Sequence, residues 1–182
     1  MKPLPGWLSG SLIVLVAIGA VWFLAASTTP SEERGVGKPA PPLAGTATTG
    51  KPFALSDYRG KVVLINFWGE WCPPCVQEIP DLVSLQKKYE RRGFTIIGLA
   101  ENKDPNLTEA QYRAFLTGYL AKNGMTYPNV PAPEGAKQAY GLEVFPTSYL
   151  LDKRGNIVYA TVGAIDPADI ASRIEKQLSK GD

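Results

Sequence analysis

The stretch Lys61-Val62-Val63-Leu64-Ile65-Asn66-Phe67-Trp68-Gly69-Glu70-Trp71-Cys72-Pro73-Pro74-Cys75 decides the fold. Its first eight residues form an unbroken β-branched and aromatic run, the pattern of a central strand buried on both faces. Gly69 stops the run, and the only two cysteines of the chain come at once after it, at the spacing of a reversible dithiol/disulfide centre. Over residues 73–91 the apolar positions Val76, Ile79, Val83 and Leu85 keep helical spacing, with proline at home in the first turn and Pro80 expected to kink the helix. Phe94–Ala100 reads as a second buried strand reached through that helix, so the two strands should lie parallel. The predicted fold class is α/β.

Farther out, residues 43–55 flank Thr48-Thr49-Gly50-Lys51 and predict a small hairpin turning on the glycine. Thr108 is the expected N-cap of a helix that Gly124 stops, and a Pro-rich loop is expected at 127–131. Residues 147–151 and 156–162 predict an antiparallel hairpin, and Asp166 should cap a last helix ending near Leu178. At the other end, residues 7–26 carry no charge and are long enough to cross a bilayer, with Lys2 before them and Trp7 and Trp22 as interface anchors. The small residues Ala25-Ala26-Ser27 leave a cleaved signal peptide open, and both readings export the rest of the chain. The expected organisation is a membrane anchor or signal peptide over 1–27, a flexible Pro- and Gly-rich linker over 28–37, and a folded domain over 38–182.

Composition removes several function classes. Nineteen Lys and Arg against 17 Asp and Glu leave a net charge of +2 with no basic stripe, so no nucleic-acid partner is expected. There is no histidine, which excludes Ser-His-Asp, Cys-His and His-metal chemistry within one chain. A zinc site would need ligands beyond the two cysteines, so metal binding is not expected. A purely structural disulfide closing so short a loop removes little unfolded-state entropy. Redox sulfur chemistry survives. Cys72, at the start of a helix, meets amide protons and the positive end of the dipole and should be the more exposed nucleophile with a lowered pKa. Cys75, one turn inside, should be the resolving thiol.

The run from Asn66 to Cys75, with the later Val144-Phe145-Pro146-Thr147, resembles the thioredoxin superfamily. More narrowly it resembles the membrane-tethered, extracytoplasmic thiol-disulfide oxidoreductases of the TlpA, ResA and CcmG (DsbE) type. The likeness implies a thioredoxin-like fold, a central mixed sheet flanked by helices, carrying an added N-terminal hairpin at 43–55 and a helix inserted within 102–133, behind one transmembrane helix. It implies that Pro146 is a cis-proline facing the cysteine pair, and that Trp71, Pro73, Pro74, Phe145 and Thr147 form the substrate-docking surface. Glu78 matches the acidic residue that this type places one turn after the second cysteine. Asn66 stands where ordinary thioredoxins carry a buried aspartate, so the proton relay should move to Glu78. The implied activity is reduction of disulfides in exported proteins, apocytochrome c among them, with the redox-active cysteine pair and no other cofactor. The implied location is the cell membrane, single-pass, with the domain on the extracytoplasmic side. An exported dithiol needs a transmembrane electron donor to stay reduced. A disulfide oxidase or isomerase is the alternative; a peroxidase would lack its Thr-x-x-Cys site, and a copper chaperone its C-x-x-x-C and histidine. Glu70 is expected to be a solvated loop charge, with tuning of the cysteine pKa by repulsion as the alternative, and Tyr127 and Tyr140 packing residues without a role.

Overall fold

The computed structural model describes residues 35–180. The apolar span expected at 7–26 lies outside them, as does most of the expected linker; among the described residues no helix is long and apolar enough to cross a membrane. The chain is already paired at its first described residues, where Gly37 donates to the Ile157 carbonyl at 2.8 Å and Ala40 to that of Gly155 at 3.0 Å.

Strands β1 (Ala44–Thr46) and β2 (Pro52–Ala54) form an antiparallel hairpin, with Gly50 at φ 79° supplying the turn. A 3-10 turn at Leu55–Tyr58 leads to β3 (Val62–Trp68). Helix α1 (Pro73–Tyr89) runs through Pro80 without ending, and a 3-10 turn at Glu90–Arg92 closes on Gly93 at φ 90° before β4 (Phe94–Ala100). Helix α2 (Glu109–Lys122) opens on a capping box: Thr108 accepts from the Gln111 amide, and the Gln111 side chain accepts from the Thr108 amide at 2.9 Å. Then come β5 (Asn129–Pro131), the short helix α3 (Ala136–Ala139), and the hairpin of β6 (Thr147–Leu151) and β7 (Ile157–Val162). Helix α4 (Pro167–Leu178) is capped by Asp166, which accepts from the Ala168 and Asp169 amides.

The sheet order is β5-β4-β3-β6-β7, parallel on the β4 and β5 side of β3 and antiparallel on the other. All seven residues of β3 are buried. Val62, Leu64 and Trp68 pack on one face with Ile79 and Leu82 of α1, Leu116 of α2 and Ile170 and Ile174 of α4. Val63, Ile65 and Phe67 pack on the other with Leu43, Phe53, Ala136 and Tyr140. Each such aliphatic side chain contributes about 1.5–3 kcal/mol of gross burial energy, which is why an uninterrupted apolar run ends up at the centre.

The loop expected at 127–131 contains a strand instead. Only three residues pair with β4, and prolines stand at 128 and 131, so neither alternation nor length marks the strand in the sequence. The prolines are tolerated because β5 is an edge strand. Its outer side is covered by the first hairpin, where the Thr48 amide donates to the Asn129 carbonyl at 2.9 Å. The Ile96 amide, short of the β5 pairing, is met by the Gln86 side chain of α1 at 2.9 Å. The Asn129 amide bridges inward, accepting from the Trp68 indole at 3.0 Å and donating to the Tyr127 carbonyl at 3.0 Å.

Gly98 makes room for that bridge: a Cβ there would lie 2.0 Å from Asn129 Oδ1. Gly98→Ala should therefore destabilise the fold by about 2–4 kcal/mol through overpacking and loss of the buried hydrogen bond. Gly118, mid-helix in α2 with nothing within 4 Å of its would-be Cβ, should instead gain about 0.5–1 kcal/mol as alanine. Urea unfolding of the two variants beside the parent checks both signs.

Candidate active site

The chain turns from β3 into α1 over four residues. The Cys72 amide donates to the Gly69 carbonyl at 3.1 Å, and Cys72 is the extended N-cap of α1, with φ −102° and ψ 104°. Pro73 and Pro74 fill the first two helical positions, where their missing amide protons would have had no partner. Both prolines are exposed. A disulfide joins Cys72 to Cys75 across a Cα separation of 5.2 Å. In this oxidised form Cys72 is only slightly more open than the resolving cysteine, 4% against 1% exposed, so the expected difference in access is small. The Cys72 sulfur belongs to the residue at the positive end of α1, which favours its thiolate once the bridge is reduced.

Trp71 is half-buried and held on three sides. Its indole N–H donates to the Glu101 carbonyl at 2.9 Å, Phe145 meets it edge-on at 5.2 Å, and Lys103 Nζ lies 3.4 Å from its ring centroid. Gly69 is required by that packing, since a Cβ there would lie 2.5 Å from the indole. Antiparallel pairing of Phe67 with Thr147 brings Pro146 alongside the end of β3 and the cysteine loop, and the Phe145–Pro146 peptide is cis. Val144 is exposed and Phe145 half-buried. Thr147, expected on the docking surface, is buried; its hydroxyl donates to the Val144 carbonyl at 2.7 Å and braces the turn.

Glu78 lies one turn beyond Cys75 on α1 and is 3% exposed. Its Oε1 accepts from Asn66 Nδ2 at 2.8 Å and its Oε2 from the Ile165 amide at 3.0 Å. Asn66 Nδ2 also donates to Ser148 Oγ at 3.0 Å, so the position that departs from ordinary thioredoxins holds the carboxylate in place. Burial pushes the Glu78 pKa above its ordinary 4.5, partly offset by the Ile165 and Asn66 bonds. Ser148 and Ile165 belong to no motif, and nothing in the sequence singles them out. Tyr127 and Tyr140 are buried; the Tyr140 hydroxyl donates to the Pro41 carbonyl at 2.7 Å.

Glu70 departs from expectation. It is half-buried and not simply solvated: its Oε2 accepts from the hydroxyl of Tyr112 on α2 at 2.9 Å. The same hydroxyl lies 3.0 Å from the Glu101 carbonyl, and the Glu101 carboxylate pairs with Lys137. A 42-residue gap hides the Glu70–Tyr112 contact from any local reading. Among the described residues no three His, Cys, Asp or Glu side chains gather as a metal site.

Residues 35–178 match the redoxin family. The chain is 36% identical over 156 residues to the thiol-disulfide oxidoreductase ResA of Bacillus thuringiensis, an alignment covering 84% of this chain and 85% of that protein. It is 31% identical over 172 residues to the thioredoxin-like protein YneN of Bacillus subtilis, covering 93% and 96%. Among solved structures, a thioredoxin-family thiol:disulfide interchange protein from Chlorobium tepidum superposes with a TM-score of 0.67 at 33% identity, covering 78% of this chain and 96% of that one. A putative DsbE from the same organism gives 0.63 at 30%, covering 80% and 94%. On that match and those identities the chain belongs to the redoxin family, as a thiol-disulfide oxidoreductase of the ResA type within the thioredoxin superfamily.

Proposed function

We propose that the protein is an extracytoplasmic reductase, tethered to the cell membrane by residues 7–26, that reduces disulfides in exported proteins such as apocytochrome c. The observation that supports this reading is the buried Glu78 carboxylate one turn beyond Cys75, to which we assign the role of base for the resolving thiol. Cys72 thiolate attacks one sulfur of a substrate disulfide; the substrate S–S bond breaks and its second sulfur leaves as a thiolate. Glu78 then takes the Cys75 proton, and Cys75 attacks the Cys72 sulfur, breaking the mixed disulfide and releasing the second substrate thiolate. Two electrons pass to the substrate, and the Cys72–Cys75 bridge is left oxidised. Its return to the dithiol requires a donor of two electrons and two protons, which in an oxidising compartment must be fed across the membrane. Trp71, Phe145 and the exposed Val144, beside Pro146, offer the substrate chain an apolar contact next to Cys72.

The equilibrium reduction potential separates this reading from its alternative. A value near the thioredoxin figure of about −270 mV fits a reductant, and one near about −120 mV would make the protein a disulfide donor instead. Cys72→Ser should abolish reduction of a model protein disulfide such as insulin, and retained turnover would sink the assignment of the nucleophile. Glu78→Gln should slow release from the mixed disulfide by about a hundredfold at neutral pH, the usual worth of a positioned base, as monitored by stopped-flow quenching. The same variant has a stability signature. Because the fold raises the Glu78 pKa above 4.5, the folded protein binds that proton more tightly than the unfolded chain. The resulting stabilisation is present below about pH 4.5 and is lost as pH rises through the raised value. Thermal melts of the oxidised Glu78→Gln protein should show a flatter pH profile across that window, and superimposable profiles would contradict the role of burial.

A further inference from the structure

Glu70 stands two residues before Cys72, and its carboxylate is bonded to the inserted helix α2. The Tyr112 hydroxyl has one proton and two acceptors, Glu70 Oε2 at 2.9 Å and the Glu101 carbonyl at 3.0 Å. That carbonyl already receives the Trp71 indole proton at 2.9 Å. The Tyr112 proton therefore goes to the carboxylate, where the bond is charge-assisted. The Tyr112 ring is 1% exposed and lies in the core with Leu116, so its hydroxyl is a fixed point. Burial and the Glu70 charge both push its pKa up, which keeps it a donor at any working pH.

Of the cations nearby, Lys137 pairs with the Glu101 carboxylate and Lys103 lies over the Trp71 ring; neither forms an ion pair with Glu70 among the described residues. A negative charge held beside the cysteine loop opposes thiolate formation on Cys72, and a less stabilised reduced form is a stronger electron donor. We propose that Tyr112 is a positioning residue for the redox centre, holding the Glu70 carboxylate against the Trp71-Cys72 loop and thereby making the dithiol more reducing. The proposal deepens the thiol-disulfide reading and rests on it. Without the hydroxyl, the half-buried carboxylate is free to turn toward water, and its field at the sulfur is screened.

The test is redox equilibration of the full-length protein against a series of reduced and oxidised dithiothreitol ratios, with protein thiols counted by alkylation. Glu70→Gln keeps the side-chain shape and an acceptor for Tyr112 while removing the charge. It should move the equilibrium about tenfold toward the dithiol, which for two electrons is about 30 mV. Tyr112→Phe keeps the buried ring and should move it the same way by more than twofold, while the double variant moves no further than Glu70→Gln alone. A Tyr112→Phe shift of twofold or less, a shift in the opposite direction, or an equal shift in the Glu70→Gln background overturns the proposal. Should Tyr112→Phe fail to fold, Glu70→Gln carries the test, and a constant within twofold of the parent overturns it. A parent protein with no reversible dithiol/disulfide equilibrium would instead overturn the thiol-disulfide reading itself.

Discussion

A carboxylate taken out of water costs several kcal/mol unless donors meet both of its oxygens, and Glu78 sets that requirement at the centre of this protein. The donors come from parts of the chain far apart in sequence. Asn66 reaches from β3, interrupting the apolar side chains of that face between Leu64 and Trp68, and the Ile165 amide comes from the connection into α4. Ser148 on β6 takes the second proton of the Asn66 amide. The strand order, the β3–β6 register and the approach of α4 therefore converge on one side chain, and a shift in any of them would leave a buried donor or charge unpaired. The same convergence puts a buried carboxylate one helical turn from Cys75, where the proposed mechanism uses it as the base.

Much of this is legible in the sequence because it is local. The apolar run at 61–68, the helix after the cysteines, the Thr108 and Asp166 caps and the turn at Gly50 each write their signal within a few residues, and each element forms where expected. Strand β5 does not show because three residues, preceded by one proline and ending on another, leave no period to count, and its strand character comes from pairing with β4 and cover by the Thr48 turn. The position of Glu78 relative to Cys75 marks it as a candidate, but nothing local reveals that Asn66 and Ile165 satisfy its carboxylate. Glu70 reads as solvated because no neighbour in the sequence announces a partner; its partner is on α2.

The two carboxylates that flank the cysteine pair in sequence, Glu70 and Glu78, sit in different environments that suit the two roles proposed for them. Glu78 meets its donors within the core, where burial outweighs their pull and its pKa rises, which suits a group that must accept a proton from a thiol and give it back. Glu70 is bonded at the rim by a single phenol, half in water, where the proposal has it act through its charge. In the proposed mechanism one takes a proton and the other acts through the field it casts.

That division reflects the architecture. The cysteine loop, the Phe145–Pro146 turn and Glu78 are set by β3, α1 and β6, which are tied together by strand pairing and buried along their lengths. The segment between β4 and β5 carries less of the core, and α2 exposes most of its residues, including Phe115. Substitutions at the exposed positions of such a helix cost little stability, whereas changes in the cysteine loop or the Glu78 site fall on the proposed machinery of exchange. Tyr112 is the buried anchor on that helix, and the single proton it gives to Glu70 is the proposed link between α2 and the cysteine loop.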